Sequence, residues 1–292
     1  MPWLQLEFEI EQIYAEEFSF FLEQLGATAI SLSASSNEAI FDEGDEENLL
    51  WDKTHVEALF DSEHDVDSLI IRLNKFASGK VTLNHKIKLL EDRDWVDEFK
   101  SEYQPLFFLD KICISPSWHE QLKNKIPTII LDPGLAFGTG AHPTTSLCIE
   151  WFCVNDINNK IVIDYGCGSG ILSMVAAKLG AKKVYAIDID EGVLKVAGEN
   201  IKNNKLEEII VLGKPENLRI PKADILVANI LKNPLIKLFD KFSRLTKSGG
   251  HLVLSGIVNK QVDECLSKYK SNFNMDKPVL RESWASLHGI RL

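Results

Sequence analysis

Seven residues constrain this chain more than any other stretch: Asp164-Tyr165-Gly166-Cys167-Gly168-Ser169-Gly170. Lys160-Ile161-Val162-Ile163 before them reads as a buried strand, and Ile171-Leu172-Ser173-Met174-Val175-Ala176-Ala177 after them reads as a helix. Three glycines at every second position let the backbone turn sharply and approach a ligand with no side chain intervening. The carboxylate of Asp164 stands at the strand tip. Helix N-termini attract anions, so an acid here disfavours a pyrophosphate and favours a ligand with hydroxyls and a cationic group. The GxGxG spacing also departs from the GxGxxG of dinucleotide-binding loops. A tight turn without a ligand would use the same glycines; the residues around the loop decide between the two.

Downstream, Val184 to Asp188, Ile209 to Gly213, Ala223 to Ala228 and Gly250 to Ser255 read as strands. Glu191 to Asn203, Pro234 to Leu245 and Gln261 to Lys270 read as helices. Such alternation predicts an α/β, Rossmann-like domain with a mostly parallel sheet covered on both faces. Met275 to Glu282 and Trp284 to Arg291 follow with no helix between them, which predicts an antiparallel edge. Leu109 to Ser115 and Thr128 to Leu131 read as strands upstream, and the domain is expected to span 105–292.

The first 91 residues follow another pattern. Leu4, Leu6, Phe8 and Ile10 alternate with polar neighbours, and Tyr14, Phe18, Phe21, Leu22 and Leu25 share one helical face before Gly26. Ala27 to Ser33, Thr54 to Phe60 and Asn84 to Leu90 read as strands, with a second amphipathic helix through Val66, Leu69, Ile70, Leu73 and Phe76. Glu38 to Phe41 reads as strand or loop. Strand, helix, strand, strand, helix, strand is the ferredoxin-like α+β order. Residues 1–91 carry no catalytic constellation and are expected to form a smaller recognition domain. Trp95, Phe99 and Tyr103, spaced by four before Pro105, predict a short helix in a linker over 92–104. A first helix of the second domain is the alternative.

A net charge of −11 over 292 residues argues against gripping nucleic acid by its phosphates; it suits a basic protein partner, or a solvated acidic surface with no partner at all. Asp42-Glu43-Gly44-Asp45-Glu46-Glu47 reads as a solvated loop or as a docking surface for such a partner. The five cysteines form no CxxC pair, which disfavours a disulfide framework or a metal site and fits a reducing compartment. No signal peptide and no apolar run near the ~20 residues of a membrane span are evident, so a cytoplasmic protein away from membranes is expected.

Three strand ends carry polar residues suited to a ligand: Asp164, Asp188, which lies eighteen residues after Gly170 where an acid holds ribose hydroxyls, and Asn229. Asp190 reads as the N-cap of the following helix. The stretch from Asp132 to Thr145 reads as a binding loop, Pro143 opening a helix whose first turn, with Thr145, faces a ligand. Within it His142 reads as a helix-start residue in preference to a general base, and Phe137 either covers the ligand or packs the loop.

This combination resembles methyltransferases that use S-adenosylmethionine. Val162 to Gly170 is similar to their glycine motif and Ala186-Ile187-Asp188 to their acidic second strand. Asn229-Ile230-Leu231-Lys232-Asn233-Pro234-Leu235 looks like a variant of the Asn-Pro-Pro-aromatic motif of amino-group methyltransferases. With the Asp132 to Thr145 loop, the opening Met1-Pro2-Trp3 and the segment Trp284 to Gly289, the whole chain resembles the ribosomal protein methyltransferase A family. The resemblance implies a seven-stranded methyltransferase domain and S-adenosylmethionine as cofactor. It also implies a protein-lysine N-methyltransferase whose substrate is large-subunit ribosomal protein eleven, modified on lysine and N-terminal amino groups. It implies that Thr145 serves the methionine end, Gly166 the backbone cradle and Asp188 the ribose, with Asn229 near the transferable methyl. Asp164, Gly168, Gly170, Phe137 and Thr139 complete the implied cofactor set. Methyl transfer requires an aimed, uncharged amine, and the Asn229 side-chain carbonyl and the Ile230 backbone carbonyl are the candidate catalytic acceptors of its hydrogens. Lys232 departs from the small residue usual in the family and would bring a cation to the site mouth. Methylation of RNA or of a small amine, a non-enzymatic nucleotide-binding module and an NAD-dependent dehydrogenase are the competing readings; charge opposes an RNA substrate, the Asn229 segment the module, and the glycine spacing the dehydrogenase.

Overall fold

Alternation along β1 (Trp3–Glu11) sends Leu4, Leu6, Phe8 and Ile10 into a core and leaves the intervening residues to the other face. The computed structural model describes residues 2–34, 53–77, 84–90, 103–119, 126–132 and 140–292. It divides into two compact units, Met1–Phe99 and Lys100–Leu292. The first contains β1, α1 (Ala15–Gln24), β2 (Ala29–Ala34), β3 (Lys53–Asp61), α2 (Val66–Ala77) and β4 (Asn84–Leu90). Its sheet runs β2-β3-β1-β4, antiparallel throughout. Phe18 and Leu22 of α1 and Leu69 and Leu73 of α2 pack with the inner residues of β1 and β3 in one core. Phe8 meets Phe18 edge to face at 5.0 Å. The acidic run at 42–47, Glu38 to Phe41, and Asp94 to Glu102 of the expected linker helix lie outside the described residues.

The second unit opens with a small sheet of β5 (Leu106–Phe108), β6 (Ile112–Ser115) and β7 (Thr128–Ile130). The single strand expected from Leu109 to Ser115 is instead the second arm of a hairpin. Leu109 and Asp110 both take positive φ, 47° and 54°, and the Lys111 N–H donates to the Phe108 carbonyl at 3.0 Å. Two consecutive left-handed residues make the tight turn whose twist suits antiparallel strands.

The large sheet follows from α3 (Pro143–Val154), β8 (Ile161–Tyr165), α4 (Ile171–Lys178), β9 (Lys183–Ile187), α5 (Glu191–Asn203), β10 (Ile210–Gly213), β11 (Ala223–Asn229), α6 (Lys232–Leu245), β12 (Thr246–Val258), α7 (Val262–Tyr269), β13 (Phe273–Met275), β14 (Val279–Arg281) and β15 (Trp284–Arg291). Its order is β10-β9-β8-β11-β12-β15-β13, with β14 also pairing β15. Strands β8 to β12 are mutually parallel, and β15 enters antiparallel, as two final strands without a crossover helix require. The expected run from Met275 to Glu282 is broken. Asp276, Lys277 and Pro278 lie between β13 and β14, and proline has no N–H for a ladder. Strand residues alternate between two cores: Val162 and Val227 pack with α3, α4 and α5, while Ile163 and Leu226 pack with α6 and α7. All five cysteines are buried and free. No helix among the described residues is long and apolar enough to cross a membrane.

Asn204 ties β7 to α5. Its Oδ1 accepts the Ile130 N–H at 2.8 Å, and its Nδ2 donates to the carbonyls of Ile130 and Asn200 at 2.7 and 2.9 Å. Asn204→Leu removes three bonds at once and should destabilise the protein by about 2 kcal/mol or more in denaturant titration; an unchanged midpoint would contradict this role.

Candidate active site

The sheet order reverses direction between β8 and β11, since β9 and β10 extend to one side of β8 and β11 and β12 to the other. Open parallel sheets bind ligands in the crevice beyond the strand carboxyl ends at such a point. Asp164 lies beside Ala186 of β9 and beside Val227 of β11. Asp188 and Asn229 each follow those partners by two residues, so all three sequence-predicted polar tips reach the same sheet edge.

The glycine loop folds against the tip of β9. Gly166, Gly168 and Gly170 have φ of 79°, 54° and 81°, which glycine adopts without steric cost. The N–H groups of Gly166 and Cys167 donate to the Ile187 carbonyl at 2.7 and 3.0 Å, and that of Gly168 donates to Asp188 Oδ2 at 3.1 Å. Asp188 Oδ1 accepts the N–H groups of Ile189 and Asp190 at 2.8 and 3.2 Å. A carboxylate offers about four lone-pair positions, so Asp188 keeps capacity for a ligand hydroxyl. Asp190 caps α5 through the N–H groups of Gly192 and Val193 at 2.7 and 3.1 Å, separating the roles of the two neighbouring acids.

Asp164 is 1% exposed. Its Oδ2 accepts the Ser173 hydroxyl at 2.7 Å, while Oδ1 is buried without a partner. Burial pushes its carboxyl up to about 7, with the Ser173 hydrogen bonds opposing and the charge of Asp188 adding to the rise. Ser173 carries only a weak signal in the sequence, a hydroxyl within an apolar helical start.

Asn229 and Thr145 come together from β11 and the first turn of α3. The Asn229 Nδ2 donates to Thr145 Oγ1 at 3.2 Å, and Asn229 Oδ1 is a second buried oxygen without a partner. Pro143 opens α3, and His142 is its N-cap, its ring Nδ1 accepting the Thr144 N–H at 3.4 Å. The His142 ring also meets Trp284 edge to face at 4.9 Å, and burial lowers its pKa, with Glu282 opposing. A cap held this way fits a structural part for His142 better than a general base. Ile230 follows Asn229 in the turn into α6. Lys232, expected to bring a cation to the mouth, donates through Nζ to Glu264 Oε2 of α7 at 3.1 Å. Phe137 and Thr139 lie outside the described residues.

The site thus offers acceptors: two unpartnered buried oxygens and a carboxylate with about one lone-pair position to spare. No group of three or more metal-ligating side chains is placed to hold a metal among the described residues. A carboxyl raised from its ordinary value adds stability that is fully present below the unfolded pKa and is lost as pH rises through the folded value of about 7. Ligand-free protein should therefore lose stability between about pH 4 and pH 7 through Asp164. Asp164→Asn keeps an acceptor for Ser173 without the charge, and should raise Tm at pH 8 by at least about 3 °C with the gain vanishing near pH 4. A gain independent of pH would contradict the assignment.

Residues 2–291 match the family described as ribosomal protein L11 methyltransferase (PrmA). The chain is 40% identical over 294 residues to the ribosomal protein L11 methyltransferase of Shewanella piezotolerans, covering all of both chains. It is 38% identical over 291 residues to the protein of that name from Nitrosococcus oceani, again covering all of both. The crystal structure of ribosomal protein L11 methylase from Lactobacillus delbrueckii subsp. bulgaricus aligns with a TM-score of 0.58 at 32% identity, over 65% of this chain and 99% of that one. The match over nearly the whole chain, together with the Rossmann-like sheet, shows that the chain belongs to the ribosomal protein L11 methyltransferase (PrmA) family.

Proposed function

We propose that this enzyme moves methyl groups from S-adenosylmethionine to lysine side-chain and N-terminal amino groups of ribosomal protein L11. The observation that carries the amine-directed part is Asn229 Oδ1, a buried carbonyl oxygen without a partner at the edge where β8, β9 and β11 end. The relatives' shared name supplies the substrate.

The donor set fits the cofactor. Buried Asp164 Oδ1 is an acceptor suited to a cationic ligand, and Asp188 retains about one lone-pair position for a ribose hydroxyl. Gly166, Gly168 and Gly170 give a side-chain-free backbone cradle, and Thr145 is assigned to the methionine end. Phe137 and Thr139 belong to the same proposed cofactor set. The bound sulfonium supplies an activated methyl group and a good leaving group.

This chain's own part is to present an uncharged, aimed amine. A lysine amine has a pKa of about 10.4 and is mostly protonated at neutral pH. Desolvation at the site disfavours that cation. Asn229 Oδ1 and the Ile230 carbonyl accept the amine hydrogens, which directs the remaining lone pair along the line of attack. Thr145 fixes the Asn229 amide through the hydrogen bond from Nδ2, so that Oδ1 is the atom left to accept. Glu264 holds the Lys232 ammonium, so the cation that would repel an incoming lysine is engaged elsewhere.

Residues 1–91 are assigned to substrate recognition as a ferredoxin-like domain, 92–104 to a linker and 105–292 to methyl transfer. The path β10-β9-β8-β11-β12-β15-β13 is read as the seven-stranded methyltransferase sheet, with β14 an added strand. A charge of −11 suits a basic protein substrate and opposes a grip on nucleic acid. Ribosomal substrate and buried free cysteines both fit the cytoplasm.

Incubation of the purified protein with labelled S-adenosylmethionine and ribosomal protein should label a band that runs as L11. Label in RNA, or none, overturns the reading. Asn229→Ala should lower transfer on the order of 100-fold while cofactor binding persists; near-wild-type transfer would rule out the acceptor role.

A further inference from the structure

Ile230 is a residue on which two bare glycines converge. β12 runs parallel to β11 with Ser255 beside Asn229, and its next residue, Gly256, lies where the pairing register shifts between Leu254 and Ile257. Gly256 has φ of 82°. A Cβ added there would stand 2.5 Å from the Ile230 carbonyl oxygen, 2.8 Å from its carbon and 3.0 Å from its nitrogen. All three are backbone atoms, which cannot swing aside as the end of a side chain does. A Cβ on Gly166 of the glycine loop would overlap Cγ2 of the same isoleucine. The backbone of Ile230 is therefore seated on β12 and its side chain on the glycine loop. Pro234, four residues on, has no N–H to return to the Ile230 carbonyl, so the following helix gives that oxygen no such anchor.

We propose that Gly256 is a positioning residue for methyl transfer: its bare Cα seats the Ile230 peptide and so fixes the direction of the carbonyl that accepts an amine hydrogen. This rests on the acceptor role given to Ile230 in the proposed function. Gly256 itself touches neither amine nor cofactor in this scheme. A side chain at 256 meets the Ile230 peptide first, while β12 pairs with neither β8 nor β9, the strands that lead to Asp164 and Asp188.

Gly249 supplies the control. It has φ of 73°, and a Cβ added there meets nothing within 4 Å. Gly249→Ala thus carries a comparable left-handed backbone strain with no collision. The test compares wild type, Gly256→Ala and Gly249→Ala in three readouts: affinity for S-adenosylhomocysteine by calorimetry, kcat on L11, and the amide resonances of Asn229 and Ile230. Gly256→Ala should bind S-adenosylhomocysteine as wild type does, lose at least about tenfold in kcat, and shift both resonances. Gly249→Ala should match wild type in all three. Wild-type kcat in Gly256→Ala, an equal loss of kcat and affinity, or resonances that move alike in both variants overturns the proposal. If Gly256→Ala lacks a cooperative thermal transition, Ile230→Gly decides. It keeps the carbonyl but frees the peptide from the glycine loop, so kcat should fall with affinity retained, and an unchanged kcat overturns the proposal. A wild-type enzyme that leaves L11 unmethylated contradicts the proposed function instead, and the resonance comparison still decides the seat of Ile230.

Discussion

The parallel register of β8 against β9 and β11 is the constraint on which the site depends. It aligns Asp164 with Ala186 and Val227, and so carries Asp188 and Asn229 past the same sheet edge. A one-residue slip would turn each tip to the opposite face. The alternating cores resist such a slip, since Val162 and Ile163 belong to opposite layers of buried side chains. The glycine loop locks the arrangement: N–H groups of Gly166 and Cys167 bind the end of β9, and that of Gly168 binds Asp188.

Electrostatics then give the edge its chemical character. Burial raises the cost of ionising Asp164, and the charge of Asp188 adds to it. A bound cation offsets the cost, whereas a pyrophosphate would add to it. Asn229 is neutral but similarly poised, with its amide group engaged by Thr145 and its carbonyl oxygen buried without a partner. Buried polar atoms without partners are rare in folded proteins, and each calls for an explanation such as a functional role or a bound group. Two of them at adjoining strand ends make a ligand-binding edge a better account than a merely tight turn.

Much of this was legible in the sequence because it depends on local patterns. The strand, GxGxG and helix succession, the acid at 188, the proline opening α3 and the cap at Asp190 each express a short-range rule. The features that escaped depend on geometry that spacing does not carry. Leu109 and Asp110 adopt left-handed conformations without being glycine or asparagine, so the side-chain pattern predicts one strand where a hairpin forms. Lys232 reads from sequence as a cation at the mouth because its partner, Glu264, lies on the next helix and not in its own motif. Ser173 sits inside an apolar run, and only the fold brings its hydroxyl to Asp164. Gly256 resembles any glycine in a strand until the Ile230 backbone is seen against it.

In the proposed scheme one sheet edge holds the cofactor and leaves Asn229 to meet the amine. A crystal structure of the complex with S-adenosylhomocysteine tests it most directly. Ribose hydroxyls should lie within hydrogen-bond distance of Asp188, with the backbone of the Gly166 to Gly170 loop against the ligand. A ligand bound elsewhere, with Asp188 and Asn229 both untouched, would contradict it.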